Sequence, residues 1–136
     1  MTKLHLEIIT PERVVFSKEV DYVVVPAAEG EITVLPEHIP LFTRVIPGEI
    51  KYREGGQETF MAVQDGFVEV LDDKVNILTN YAVRSEEIEI AKVEAAKKKA
   101  EEVLRQKRSE ADLAVAEGEL RRSILELKVA RRKKTH

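Results

Sequence analysis

Glycine, proline and aromatic residues all but vanish part-way along this chain, and that seam limits what it can fold into. All five prolines, all seven aromatics and five of the six glycines lie between residues 1 and 84. The rest carries only Gly118 and is rich in Ala, Glu, Lys and Arg. Turn-forming and strand-forming residues thus concentrate in one part and helix formers in the other. Charge divides at the same place, with 8 basic against 14 acidic residues before it and 14 against 11 after it, within a net −3 over 136 residues. That length suits one ordinary domain with an appendage and is short for two full cores. The expected organisation is a β-domain over residues 1–84 and a helical part over residues 85–136.

The first part alternates apolar and polar residues between turn signals, the pattern of a half-buried antiparallel sheet. Leu4, Leu6 and Ile8 alternate with Lys3, His5 and Glu7 before Thr10-Pro11 ends the run. Asp21 to Val25 reads as a strand stopped by Pro26. Ile50 and Tyr52 lead to Gly55-Gly56, a hairpin turn that tolerates positive φ, and Thr59 to Val63 returns. Phe67 to Leu71, Asp72-Asp73 and Val75 to Tyr81 form another hairpin. Eight to ten short strands in 84 residues imply a β-sandwich or flattened barrel. Within EGEITVLPEHIPLFTRVIPGEI, Pro36, Pro40 and Pro47-Gly48 supply the corners where a chain passes from sheet to sheet.

From Ser85 the period changes to that of a helix. Ser85 reads as an N-cap, with Glu86, Glu87 and Glu89 over the positive end of the helix dipole. Ile88, Ala91 and Ala95, beside Val93, Ala96, Ala100 and Val103, mark one broad apolar face. Ser109, with Asp112 three residues on, resembles a capping box and starts a second helix carrying Leu113, Ala116, Leu120, Ile124 and Leu127. Two helices of about 30 Å each joined by a short turn make an antiparallel hairpin. The fold class is therefore α+β. A seam made largely of alanine methyls, each contributing about 0.8 kcal/mol, holds such a hairpin weakly, so a competing partner surface could open it.

Several chemistries are excluded. There is no cysteine, hence no disulfide framework, thiolate metal site or thiol nucleophile. His5, His38 and His136 are scattered, and Ser17, Ser85, Ser109 and Ser123 read as turn or cap residues, so no nucleophile meets a base. No glycine-rich phosphate loop is present, since Gly55-Gly56 is followed by Gln and Glu. No apolar run reaches the roughly 18 residues of a membrane span, and the N-terminal MTKLHLEIIT alternates rather than showing a leader pattern. The chain is expected in the cytosol unless a partner holds it to a membrane. His38, between prolines, reads either as a corner histidine bonded to backbone or facing solvent, or as a partner contact, and Glu29-Gly30-Glu31 either as a solvated turn or as a site. The basic tail of Arg121, Arg122, Lys128, Arg131, Arg132, Lys133 and Lys134 leaves three readings open: complementing a helix dipole, docking on an acidic protein surface, or binding nucleic acid. The last lacks aromatics for stacking, which all lie in the acidic part.

The order of β-domain then alanine-rich hairpin, with Glu29-Gly30-Glu31, Leu35-Pro36-Glu37-His38-Ile39-Pro40-Leu41, Pro47-Gly48 and Gly66-Phe67-Val68-Glu69-Val70, closely resembles the epsilon subunit of bacterial F-type ATP synthase. The resemblance spans nearly the whole chain and is more specific for the β-domain than for the helices. It implies a non-catalytic rotor subunit at the foot of the central stalk of a proton- or sodium-translocating synthase, peripheral on the cytoplasmic side of the membrane. The β-domain would bind the gamma subunit and touch the polar loops of the c-ring, with Glu29, Glu31 and His38 at that contact.

For the hairpin the resemblance implies two placements, one compact and one extended into the alpha and beta subunits, where it inhibits ATP hydrolysis. The basic tail (Arg121, Arg122, Lys128, Arg131, Arg132) would there meet acidic segments of the beta subunits. No cofactor is required. Some relatives bind regulatory ATP through a motif like [IL]-D-x-x-R-A, which here reads Ile88-Glu89-Ile90-Ala91-Lys92-Val93, with Arg122 matching a basic position on the second helix. Glu for Asp and Lys for Arg imply weaker ATP binding, because an ammonium lacks the planar fork. Against this stands a free-standing adaptor or chaperone-like module, whose hairpin tip should be apolar; the tip here, Gln106 to Glu110, is polar. A nucleic-acid binder is the third reading.

Overall fold

The computed structural model describes residues 2–134, with side chains through Arg132. The readings placed on His136 and on the side chains of Lys133 and Lys134 lie outside the described residues. The chain divides into two compact units, Met1–Arg84 and Ser85–His136.

In the first unit, ten strands follow one another among the described residues: β1 (Leu4–Ile9), β2 (Val14–Val20), β3 (Tyr22–Ala27), β4 (Gly30–Val34), β5 (Leu41–Val45), β6 (Gly48–Glu54), β7 (Gln57–Val63), β8 (Gly66–Leu71), β9 (Lys74–Thr79) and β10 (Ala82–Arg84). They hydrogen-bond in the order β10-β7-β6-β3-β5-β8-β9-β1-β2, with β4 added to β3. The sheet curls on itself into a nearly closed β-sandwich, since Phe16 on terminal β2 reaches Tyr52 on β6 with ring centroids 4.4 Å apart. Alternation places Leu4, Leu6, Ile8, Val23, Val25, Ile50, Met61, Val68 and Ile77 inside, each fully buried. A buried Leu or Ile contributes about 1.5–3 kcal/mol, so this core carries the unit without disulfides. The turns match their sequences: Gly55 and Gly56 sit at φ 57° and 85°, and Asp72 and Asp73 at 50° and 59°. Both pairs meet the left-handed requirement of tight hairpins.

Two expectations are corrected here. Pro26 does not end its strand: β3 runs on to Ala27, with Pro26 opposite Glu31 of β4. The other edge of β3 pairs with β6 as far as Val24↔Lys51 and then with β5 at Ala27↔Val45. The missing donor therefore falls where one ladder hands over to the next, and the Pro26 carbonyl still accepts from Ile46 N–H at 3.0 Å. Nor is every pairing antiparallel. β1 lies parallel to β9, His5 opposite Lys74 through Ile9 opposite Leu78. Such a pairing joins strands distant in sequence and leaves no local hairpin signal.

The second unit begins with a single 3-10 turn, Ser85–Glu87, closed by Ile88 N–H donating to the Ser85 carbonyl at 3.3 Å. α1 (Ile90–Arg105) starts only after it. Its N-cap is Glu89, in extended conformation and without a side-chain cap bond. Ser85 is therefore not the cap of α1, and Glu86 and Glu87 lie outside its first turn; burial of Ile88 draws the chain into the tighter turn first. α2 (Glu110–Ala130) starts as expected, with Ser109 Oγ accepting from Asp112 N–H at 3.2 Å. At 16 and 21 residues the helices are about 24 and 31 Å long. Val93 and Ala100 of α1, and Ala116, Ser123, Leu127 and Ala130 of α2, are buried. Ala91 and Ala95 are exposed and Ile124 is 51% exposed, so the inward faces are narrower than the apolar rows suggested.

Candidate functional site

Three places in the chain are candidates, two of which gather residues singled out by sequence. The first is the corner around β4. Glu29 stands in the turn between β3 and β4, Glu31 on β4, and His38 four residues beyond its end. The corner after β4 is tied down. Glu37, at φ 69°, gives its amide to Asp73 Oδ1 at 2.6 Å, and Asp73 also accepts from His5 N–H through its carbonyl at 2.9 Å. His38 N–H donates to the Leu35 carbonyl at 3.2 Å and its Nδ1 to Ile39 O at 2.7 Å. The Nδ1 bond orients the half-buried imidazole. Among the described residues neither Glu29 nor Glu31 has an ion-pair partner, and both are exposed. The corner can offer two solvated carboxylates and one oriented imidazole on a held backbone.

Beside it runs an apolar stripe that the sequence reading missed. Phe42 and Phe67 stack on the outer face of β5 and β8, centroids 5.5 Å apart and planes 18° from parallel. Phe67 lies opposite Leu78, which lies opposite Ile9. Phe42 is 65%, Phe67 46% and Leu78 49% exposed, and a groove of about 470 Å³ passes between Phe67, Leu78, Ile9 and Arg44. The available signal was phase: on paired strands whose inward positions are Val45, Val68 and Val70, aromatics occupy the outward positions, where burial gives no reason for them.

The third place lies between the two helices. A cavity of about 380 Å³ is lined by Lys92, Val93, Lys99, Glu119, Arg122 and Glu126, among others. Of the four residues in the nucleotide reading, the cavity brings together Lys92 and Arg122. Ile88 is buried elsewhere, and Glu89 pairs with Lys92 at 3.2 Å on the exposed surface. Arg122 Nε donates to Glu126 Oε1 at 2.9 Å, and that carboxylate is 10% exposed. Among the described residues the basic tail is spread over several places. Arg122 turns to the cavity, Arg121 and Lys128 are exposed on α2, and Arg131 and Arg132 belong to a closing 3-10 turn.

Ser17 and Ser123 depart from the turn-or-cap reading, since Ser17 lies on β2 and Ser123 within α2. Ser17 Oγ donates to Glu7 Oε2 at 3.1 Å while standing 3.1 Å from His5 Nε2. The hydroxyl proton thus points to a carboxylate rather than to the imidazole, the wrong direction for activating a nucleophile. Among the described residues no group of three or more His, Asp or Glu side chains could hold a metal ion, and no helix is long and apolar enough to cross a membrane.

Comparison with known proteins converges. Residues 3–85 match the family described as ATP synthase, Delta/Epsilon chain, beta-sandwich domain. The chain is 46% identical over 137 residues to the ATP synthase epsilon chain of Dehalococcoides mccartyi, covering 100% of this chain and 98% of that relative. It is 44% identical over 128 residues to that of Herpetosiphon aurantiacus, covering 94% of each. Among solved structures it is similar in fold to a chain of the Euglena gracilis mitochondrial ATP synthase, in the cryo-EM structure of OSCP, F1 and c-ring in rotational state 1. The TM-score is 0.71 at 23% identity, covering 100% of this chain and 83% of that one. A chain from the Tetrahymena thermophila mitochondrial ATP synthase central stalk and c-ring gives a TM-score of 0.61 at 15% identity, covering 95% and 97%.

Proposed function

The chain belongs to the ATP synthase epsilon chain family, and on that premise we propose that it couples the c-ring to the gamma subunit in the central stalk and restrains ATP hydrolysis through its helices. It is a component of the synthase rather than the subunit that makes or breaks the phosphoanhydride bond. The observation that carries the proposal is the held corner. A part that transmits torque needs its contact residues on backbone that does not yield, and Asp73 fastens the loop of Glu37 and His38 to β1 and to the β8–β9 turn. Glu29, Glu31 and His38 are assigned to polar loops of the c-ring. The Phe42–Phe67 stripe is assigned to gamma, because aromatics are the side chains that anchor interfaces. Association with the membrane is through the complex, on its cytoplasmic side.

The helical unit is assigned the regulatory role. Extended, its basic residues would meet acidic segments of the beta subunits; compact, it would leave hydrolysis free. The cavity between α1 and α2 supports a regulatory nucleotide reading, since Lys92, Lys99 and Arg122 give three cations over one opening. Assembly with gamma and the c-ring, followed by hydrolysis assays with and without residues 85–136, tests both roles. Co-purification with gamma is expected, as is faster hydrolysis for the truncated form. A chain that never co-purifies ends the rotor assignment, and equal hydrolysis rates end the restraint.

A further inference from the structure

The cavity between the helices already holds an anion, and that anion is part of the chain. Glu126 lies four residues after Arg122 on α2, its carboxylate 2.9 Å from the guanidinium Nε and only a tenth exposed. Position i,i+4 on a helix puts the two side chains on one face. The carboxylate side of the pair is thus removed from bulk water, while the Arg122 side chain is 46% exposed. Five charged side chains line the cavity, the cations Lys92, Lys99 and Arg122 and the anions Glu119 and Glu126. Of the cations, Arg122 alone has the planar fork that grips a phosphate through two parallel hydrogen bonds. Glu126 Oε1 accepts from one donor of that fork, the Nε–H, at 2.9 Å.

We infer that Glu126 is the residue that sets the ligand specificity of this cavity, an internal stand-in for phosphate that a polyphosphate must displace before it can engage Arg122. The inference rests on the nucleotide reading of the same cavity. Displacement leaves a buried carboxylate without its cation, an expensive state, so the native chain binds polyphosphate weakly whatever its lysines contribute. Removing the charge at position 126 opens the site. Glu126→Gln keeps size and hydrogen-bonding shape, and its neutral amide yields the guanidinium far more readily.

Calorimetric titration of the full-length chain with inorganic tripolyphosphate and, separately, with ATP tests this. Glu126→Gln is expected to bind tripolyphosphate at least tenfold more tightly than the native chain, and Arg122→Gln/Glu126→Gln to lose that gain. Circular dichroism establishes that the helices persist in each variant. Without ligand, the Arg122 Nε–H proton should exchange with solvent faster in Glu126→Gln than in the native chain, because its acceptor has lost its charge. Tripolyphosphate binding no tighter in Glu126→Gln, or unchanged proton exchange, overturns the inference. If the tripolyphosphate gain is present but ATP binds no better than tripolyphosphate, Glu126 still guards the cavity and the nucleotide reading is the part that fails.

Discussion

Gly66 is the glycine with the least room for a side chain. A Cβ there would stand 1.9 Å from the Leu78 carbonyl oxygen and 2.8 Å from Thr79 Cα, both backbone atoms of the strand hydrogen-bonded beside it, so neither can move aside alone. Gly66→Ala is expected to cost about 3 kcal/mol or more, read as a lowered urea midpoint; Gly55→Ala, where only φ objects, should cost about 1 kcal/mol. Another single-group effect is pH-dependent. The Tyr22 hydroxyl donates to Glu58, Lys51 Nζ lies 3.5 Å from it, and together they lower its pKa from the ordinary 4.5. A carboxyl lowered on folding adds stability at all pH above its unfolded value and loses that stability as pH falls through its folded value. The gap in urea midpoint between the native chain and Tyr22→Phe should therefore be full at neutral pH and shrink below 4.5. A gap that stays constant through acid would remove Glu58 from the explanation. Gly55-Gly56 and Asp72-Asp73 could be read directly as turns because their constraint is local. Gly66 could not, because its neighbour lies on another strand.

The helices show the same division between what is local and what is not. The start of α2 was legible, since a serine with an acid three residues on meets orphan amides whatever surrounds it. The start of α1 was not: Ser85 has the right chemistry, yet the need to bury Ile88 made a 3-10 turn there and left α1 with Glu89 as an uncapping N-cap. The apolar rows were over-read because alanine costs little when exposed, as at Ala91 and Ala95, and says little about which face packs. Ser109→Ala should reduce stability of the helical unit by about 1 kcal/mol, seen in the thermal loss of helical ellipticity. Gly118 offers the opposite opportunity. Nothing lies within 4 Å of the place a Cβ would occupy, so Gly118→Ala should stabilise α2 by about 1 kcal/mol. Ala at 118 leaving the melt unchanged would mean that the unit does not unfold through α2.

Taken as a working part of the synthase, the chain should separate contact from stability. Phe42 and Phe67 lie largely outside the core, so replacing both with Ser should shift the urea midpoint of the isolated protein little while sharply reducing recovery with gamma; recovery at the native level would clear the stripe of that role. If the basic tail docks the extended helices on acidic subunits, restraint of hydrolysis should weaken as salt rises from about 0.05 to 0.3 M, with the truncated enzyme insensitive over the same range. The residues at the corner, Glu29, Glu31 and His38, could be named from sequence, whereas Asp73, which ties that corner down, and the apolar stripe needed the pairing of distant strands. That same pairing governs how the protein is made. Of these strands β1 is synthesised first but lies between β2 and β9, and β9 ends at Thr79. Until then one edge of the opening strand is bare, a template for stray association. The first unit must therefore wait for nearly its whole length to be synthesised before its sheet can shut, and a nascent chain halted before Lys74 should remain open to protease.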